Sequence, residues 1–160
     1  MEKKTKKIRI AIGADHGGFD LKKDIIDFLK VWRYEVKDFG TFAAERCDYP
    51  KIGYKVAASV ASGKFGRGIL ICKSGLGMCI VANKVPGIRA VLLAGEENAR
   101  LSREHNDANV AIFSGKSMNL SRAKKILEIW LATDFEGGRH LKRLKQIRAI
   151  ENKIRGHKNV

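Results

Sequence analysis

The stretch Gly68-Ile69-Leu70-Ile71-Cys72-Lys73-Ser74-Gly75-Leu76-Gly77-Met78 joins a short apolar run directly to a polar turn with two glycines. Ile69 to Cys72 is too short for a buried helix and carries no polar alternation. Such a run reads as a strand covered on both faces, the signature of a parallel sheet. The Ser-Gly-x-Gly turn after it presents successive backbone N–H groups at the start of a helix, an arrangement suited to anions. It is not a P-loop, because the Gly-Lys-Ser/Thr ending is missing. Cys72 falls at the strand tip. Positive potential there lowers a thiol pKa and makes a reactive group; the alternative is a small core hydrophobe.

Working outward, similar runs occur at Ile8–Gly13, Glu35–Phe39, Ile88–Leu93 and Asn109–Phe113. Between them apolar residues recur at helical spacing: Leu21, Ile25, Phe28 and Leu29; Val56, Ala57 and Val60; Leu120, Ala123, Leu127, Trp130 and Leu131. Leu141, Leu144, Ile147, Ile150 and Ile154 mark a last helix, expected over 139–155. Short buried strands alternating with helices predict one three-layer α/β/α Rossmann-like domain over residues 1–160, with five parallel strands and an extra C-terminal helix. No linker or internal repeat divides the chain. In such a fold ligands bind beyond the carboxyl ends of the strands.

The chain has 160 residues and a formal net charge of +15, with 44% hydrophobic residues, enough for one core. No apolar run approaches the roughly 18 residues of a membrane helix. The basic start, residues 1–7, leads into too short an apolar stretch for a secretory signal. Three cysteines without a Cys-x-x-Cys pair fit a reducing cytoplasm and argue against a zinc ribbon, so no metal is expected. Residues 1–9 carry +4 and residues 139–160 carry +7, which leaves +4 for residues 10–138. Basic ends of this kind fit a nucleic-acid surface, a solvated helix face, or cations serving a small anionic molecule.

The other strand ends carry polar groups. Gly13-Ala14-Asp15-His16-Gly17-Gly18 has a carboxylate where a dinucleotide fingerprint needs its middle glycine, which disfavours NAD. Asp15 there is a helix cap or a site residue. His105, in Ser102-Arg103-Glu104-His105-Asn106-Asp107-Ala108-Asn109, is a dipole partner at a helix end or a proton shuttle. Arg139 and Arg143, four apart after Gly137-Gly138, share one helix face and make a phosphate clamp.

Eight segments occur in order: Asp15-His16-Gly17-Gly18, Asp48-Tyr49-Pro50, Gly68 to Cys72, Ser74-Gly75-Leu76-Gly77, Ala82-Asn83-Lys84, Gly87-Ile88-Arg89-Ala90, Ser102 to Asn109, and Glu136-Gly137-Gly138-Arg139-His140-x-x-Arg143. Together, over roughly residues 8–151, they resemble the type B ribose-5-phosphate isomerases and the wider family of galactose-6-phosphate isomerase subunits. The resemblance implies a cofactor-free aldose–ketose isomerase working through a cis-enediolate. It implies Cys72 as the base between C1 and C2, with Ser74 beside it and the amides of Gly75 and Gly77 holding the oxyanion. His105, assisted by Asp15, would open the sugar ring. His16, Arg139 and Arg143, with Lys116, would hold the phosphate, and Tyr49 and Asn106 would line the sugar site. It further implies a cytoplasmic homodimer with the site at the subunit interface and no nucleic-acid or membrane partner; whether dimers pair into a tetramer stays open at this point.

Two positions depart from that family. Lys73 stands where it usually has Gly, which strains the backbone if positive φ is required. Lys116 stands where an Arg is usual, keeping the charge but losing the bidentate fork. Competing readings are a hexose-6-phosphate isomerase acting on galactose or allose phosphates, a basic nucleic-acid-binding module, and an inactive assembly partner.

Overall fold

A computed structural model describes residues 8–156; the basic arm read at residues 1–7 lies outside them. The elements are β1 (Arg9–Ala14), α1 (Phe19–Val31), β2 (Glu35–Asp38), α2 (Tyr49–Ala61), β3 (Arg67–Cys72), α3 (Leu76–Ala82), β4 (Ala90–Leu92), α4 (Glu96–Glu104), β5 (Val110–Ser114), α5 (Leu120–Ala132) and α6 (Gly138–Gly156), with a 3-10 turn at His16–Gly18. The five strands form one parallel sheet in the order β2-β1-β3-β5-β4. The chain runs from β1 out to β2 and returns across β1 to β3, so the order reverses between β1 and β3. The loops after these two strands therefore flank the crevice where parallel sheets bind ligands.

Alternate strand residues serve two cores. Ile10, Ile12, Ala14, Ile69, Ile71, Ala111 and Phe113 pack with α1 and α5. Ala11, Leu70, Cys72, Val110 and Ile112 pack with α2 and α3 on the opposite face. Burial on both faces explains why these strands read as continuous apolar runs. Gly53 brings α2 against α3, since a Cβ there would stand 2.4 Å from Val81.

Strand β4 is shorter than the apolar run Ile88–Leu93, because side chains take over its ends. Asn109 Oδ1 accepts the Arg89 N–H at 2.8 Å. Asn83 Oδ1 accepts the Ala90 N–H, and Asn83 Nδ2 donates to the Ala90 carbonyl, both at 2.9 Å. Two asparagines of the quoted segments thus hold the sheet edge. Helix α4 shows no apolar stripe because its buried face is Ala99, Ser102 and Arg103. Arg103 is matched by Asp107 Oδ1 and the Ala108 carbonyl, each at 2.7 Å, which is what allows a guanidinium inside.

Trp130 is fully buried in the α1/α5 core and its indole N–H has no protein partner. Trp130→Ala is expected to cost about 3–5 kcal/mol, from lost transfer energy and the cavity left behind. Trp130→Phe should cost much less, since it also removes an unpaired buried donor. Urea denaturation of the two variants measures the difference. In α6 only His140 is buried, while Leu141, Ile147, Ile150 and Ile154 are exposed. Nothing in the described chain covers that apolar stripe.

Candidate active site

The loops after β1, β3 and β5 are laced together by their backbones. Asp15 N–H donates to the Ile71 carbonyl (3.2 Å), Gly115 N–H to the Cys72 carbonyl (2.9 Å) and Lys116 N–H to the Lys73 carbonyl (3.1 Å). Ser114 Oγ also donates to the Lys73 carbonyl, at 2.9 Å. Contact is so close that a Cβ on Gly115 would stand 2.1 Å from the Gly17 carbonyl oxygen. Cys72 ends β3 opposite Ser114, as a free, buried thiol. Ser74 Oγ accepts the Leu76 N–H at 3.3 Å, and Gly75 takes a φ of +80°, which glycine adopts without strain. Tyr49, at the start of α2, lies over Gly77, where a Cβ would meet its ring at 2.4 Å.

Asp15 caps the 3-10 turn by accepting the Gly17 N–H at 2.9 Å, and is itself buried. The cap and a role in the site do not exclude each other, because a carboxylate has a second oxygen. His16 is held by a residue the sequence did not single out for this purpose. Its Nδ1 lies 3.2 Å from the Cys47 carbonyl oxygen and 3.3 Å from the Cys47 nitrogen, which leaves Nε2 for a ligand. Behind it, Lys22 Nζ donates to both Asp38 oxygens (2.8 and 2.7 Å) and to the Thr41 carbonyl, fixing the loop that follows β2. Lys73 is exposed and free of the strain raised above: among described non-glycine residues only Arg33 and Asp107 have positive φ. Asp15, His16, Tyr49, Cys72, Ser74, Gly75, Gly77 and Lys116 therefore share the carboxyl edge of the sheet.

His105, Asn106, Arg139 and Arg143 do not join them. His105 caps the C-terminus of α4, which leads back to the start of β5. There the Asn109 carbonyl accepts the Gly68 N–H (2.9 Å), and Arg89 Nε donates to the carbonyls of Asn106 (2.9 Å) and Asp107 (3.0 Å). Residues 133–136 run past the same corner: Glu136 N–H donates to the Glu104 carbonyl (3.0 Å) and Arg103 Nε to the Thr133 carbonyl (3.2 Å). This is the amino edge of the sheet. Val110 to Ser114 is about 13 Å along the strand at the usual rise per residue, too far for a side chain to span. Within one chain His105 cannot reach Cys72.

At the amino edge the rings of His105 and His140 stack with centroids 4.2 Å apart and planes 8° from parallel. Arg139 Nε donates to His140 Nε2 at 3.3 Å, and Glu136 Oε2 lies 3.4 Å from the same nitrogen. Burial, then His105, Arg139 and Arg143, hold the His140 pKa below the ordinary histidine value, against Glu136, which raises it. Accepting from Arg139 requires Nε2 to be unprotonated, which agrees with the direction of this shift. His105, Glu136 and His140 bring donor atoms within 4.8 Å of one another. Parallel rings send their in-plane lone pairs along parallel lines, however, and an arginine N–H already occupies one of them, so the group fits a hydrogen-bonded stack better than a metal site.

The lowered His140 value has a consequence for stability. Unfolded His140 binds its proton as pH falls through about 6.5, before the folded ring does. Stability at this site is therefore full above about 6.5 and is lost as pH falls toward the folded value. Thermal denaturation from pH 7.5 to 5 should show this loss, and a slope unchanged in His140→Phe would contradict it. Burial likewise pushes the Cys79 thiol up, with weaker opposing help from the Leu92 backbone and Asn83, which suits a structural cysteine.

Residues 10–147 match the family model described as Ribose/Galactose Isomerase. Ribose-5-phosphate isomerase B of Escherichia coli (strain K12) is 47% identical over 145 residues, covering 91% of this chain and 97% of that protein. The D-erythrulose-4-phosphate isomerase of Pectobacterium atrosepticum is 38% identical over 146 residues, covering 91% and 96%. Among solved structures, a Clostridium thermocellum ribose-5-phosphate isomerase B superposes with a TM-score of 0.90 at 51% identity, covering 92% of this chain and 99% of that one. With a model match over most of its length, relatives matched nearly end to end, and the same parallel sheet, the chain belongs to the ribose/galactose isomerase family and is an isomerase.

Proposed function

We propose that the chain interconverts ribose 5-phosphate and ribulose 5-phosphate through a cis-enediolate, at a site completed by a second copy of itself. The observation that carries this reading is that the loops bearing Asp15, His16, Tyr49, Ser74, Gly75, Gly77 and Lys116 share with Cys72 the carboxyl edge of the sheet at its switch point. The two halves of the site lie on opposite edges, so a homodimer that sets the amino edge of one copy against the carboxyl edge of the other brings them together. The exposed α6 stripe, with Leu76 and Ile80 on α3, supplies apolar surface for that contact. Dimers pairing further would give a tetramer. The whole chain, residues 1–160, acts here as one catalytic unit of the cytoplasm.

In this mechanism His105 of the second copy and Asp15 open the furanose by moving the proton of the anomeric hydroxyl. The Cys72 thiolate then takes the proton from C2 of the aldose and returns it to C1, while the hydroxyl proton passes from O2 to O1. Charge developing on oxygen is held by Ser74 and the amides of the Gly75–Gly77 loop, donors fixed before the reaction begins. Tyr49 and Asn106 line the sugar. His16, Lys116, Arg139 and Arg143 hold the phosphate, whose binding energy orients carbons distant from it. The proton moves between adjacent carbons with no net change in oxidation state, so the reading calls on no cofactor.

The test is a coupled assay of ribose 5-phosphate turnover, run beside allose 6-phosphate, galactose 6-phosphate and erythrulose 4-phosphate. The reading expects the highest kcat/KM on the five-carbon substrate. Equal rates on all four would remove the claim of preference, and no turnover on any would remove the isomerase assignment of this site.

A further inference from the structure

His140 belongs to neither half of the mechanism above, yet it touches both kinds of group at the amino edge. It is 3% exposed and therefore does not itself meet a substrate. One face of its ring lies flat on His105, the imidazole assigned to ring opening. Its Nε2 accepts the Nε–H of Arg139, a guanidinium assigned to the phosphate. The frame around it is rigid: His140 N–H donates to the Gly137 carbonyl at 3.0 Å, and the Glu136 N–H ties the same turn to the end of α4 at 3.0 Å.

We propose that His140 is a positioning residue that sets the plane of His105 and the direction of the Arg139 guanidinium together, so that seating the phosphate and opening the sugar ring use one preformed geometry. This rests on the isomerase reading of the site and names a residue that reading leaves idle. Three physical arguments support it. A flat stack removes the rotational freedom of the His105 ring about its last bond, and proton transfer depends steeply on such alignment. Because His140 Nε2 accepts from Arg139, its ring is held in one plane, so the face it offers to His105 is fixed as well. Of the two groups near Nε2, the Arg139 N–H calls for the neutral ring and Glu136 for the protonated one; Glu136 has a side chain 52% exposed and is solvated, so it competes weakly.

The two functions of His140 are separable by substitution. His140→Phe keeps a flat ring against His105 and removes the acceptor for Arg139. KM should then rise roughly tenfold in both directions, as expected when a charge-assisted phosphate contact is misaimed, with the ratio of forward to reverse kcat kept. His140→Gln keeps an acceptor and removes the stack. Ribulose 5-phosphate is acyclic, because the oxygen that would close its ring carries the phosphate. In His140→Gln the aldose-direction kcat should therefore fall roughly 10–100-fold further than the ketose-direction kcat, with KM for the aldose falling in step as cyclic substrate binds unproductively, because the equilibrium constant fixes the ratio of the two kcat/KM values.

Equal losses of kcat in both directions for His140→Gln, with KM unmoved in His140→Phe and a matching fall in Tm for both, would show a structural role only and overturn the proposal. Unchanged kinetics in both variants would overturn it as well. If neither variant folds, wild-type protein decides: titration with inorganic phosphate should move the His140 ring-proton resonances in the NMR spectrum, and no movement refutes the link. Failure of the isomerase reading is seen separately, as absence of turnover in the wild type before any variant is made.

Discussion

Cys72→Ala is expected to lower ribose 5-phosphate turnover by roughly 10²–10⁴-fold, the usual contribution of a positioned general base. The thiol is the one group at the tip of β3 able to carry a proton between adjacent carbons, and it stands between the Asp15 loop and the Ser114 loop. Loss of activity must be distinguished from loss of fold. Cys72 is a small residue at the end of its strand, so truncation to Ala should cost about 1 kcal/mol, a few degrees in Tm for a domain of this size. Cys72→Ser, with nearly the same volume and a far weaker acid, should be as inactive as Ala. Cys79→Ala should keep turnover, since that thiol bonds the Ala90 carbonyl at 3.6 Å and serves the sheet edge. Full activity in Cys72→Ala would end the mechanism proposed here.

Mixing two inactive variants should restore activity. If each site takes Cys72 from one copy and His105 from the other, Cys72→Ala and His105→Asn homodimers are both impaired. A mixed dimer then holds one intact site and one doubly defective site. Random pairing after co-refolding makes half of the dimers mixed, so activity should return to roughly a quarter of the wild-type level. A site contained within one chain would give no recovery at any mixing ratio. The separation of His105 from Cys72 by a strand length makes the shared site the expected outcome. Size-exclusion chromatography of the same mixture checks that dimers form.

The excess charge takes on a narrower meaning once placed. Arg139, Arg143 and Lys116 serve the phosphate in the proposed mechanism, and Lys22 and Arg103 are buried and paired with Asp38 and Asp107. Much of the remaining α6 charge is exposed, and a positive field of that kind favours the approach of small anions at low ionic strength. Lys73 adds to this field beside Cys72 without backbone strain, which leaves an inactive assembly partner without its physical motive.

Local sequence determined a great deal of this protein. Runs such as Ile69–Cys72 and Val110–Phe113 are apolar on both faces, and only a sheet covered on both sides accommodates that. Glycines at 17, 75 and 77 and the polar groups after β1 and β3 mark the carboxyl edge, because loop chemistry is written in consecutive residues. Tertiary structure alone decided how the candidates are divided. His105 and Cys72 are 33 positions apart, and nothing in periodicity says that a chain entering β5 comes from the far edge. Only the parallel crossovers dictate it: every helix returns the chain to the amino edge, so a residue ending α4 must lie a strand length from one ending β3. The pairing of His140 with both His105 and Arg139, and the hold of Cys47 on His16, are likewise contacts between residues distant in sequence or set by one turn's geometry. Packing brings them together, and composition carries no trace of it.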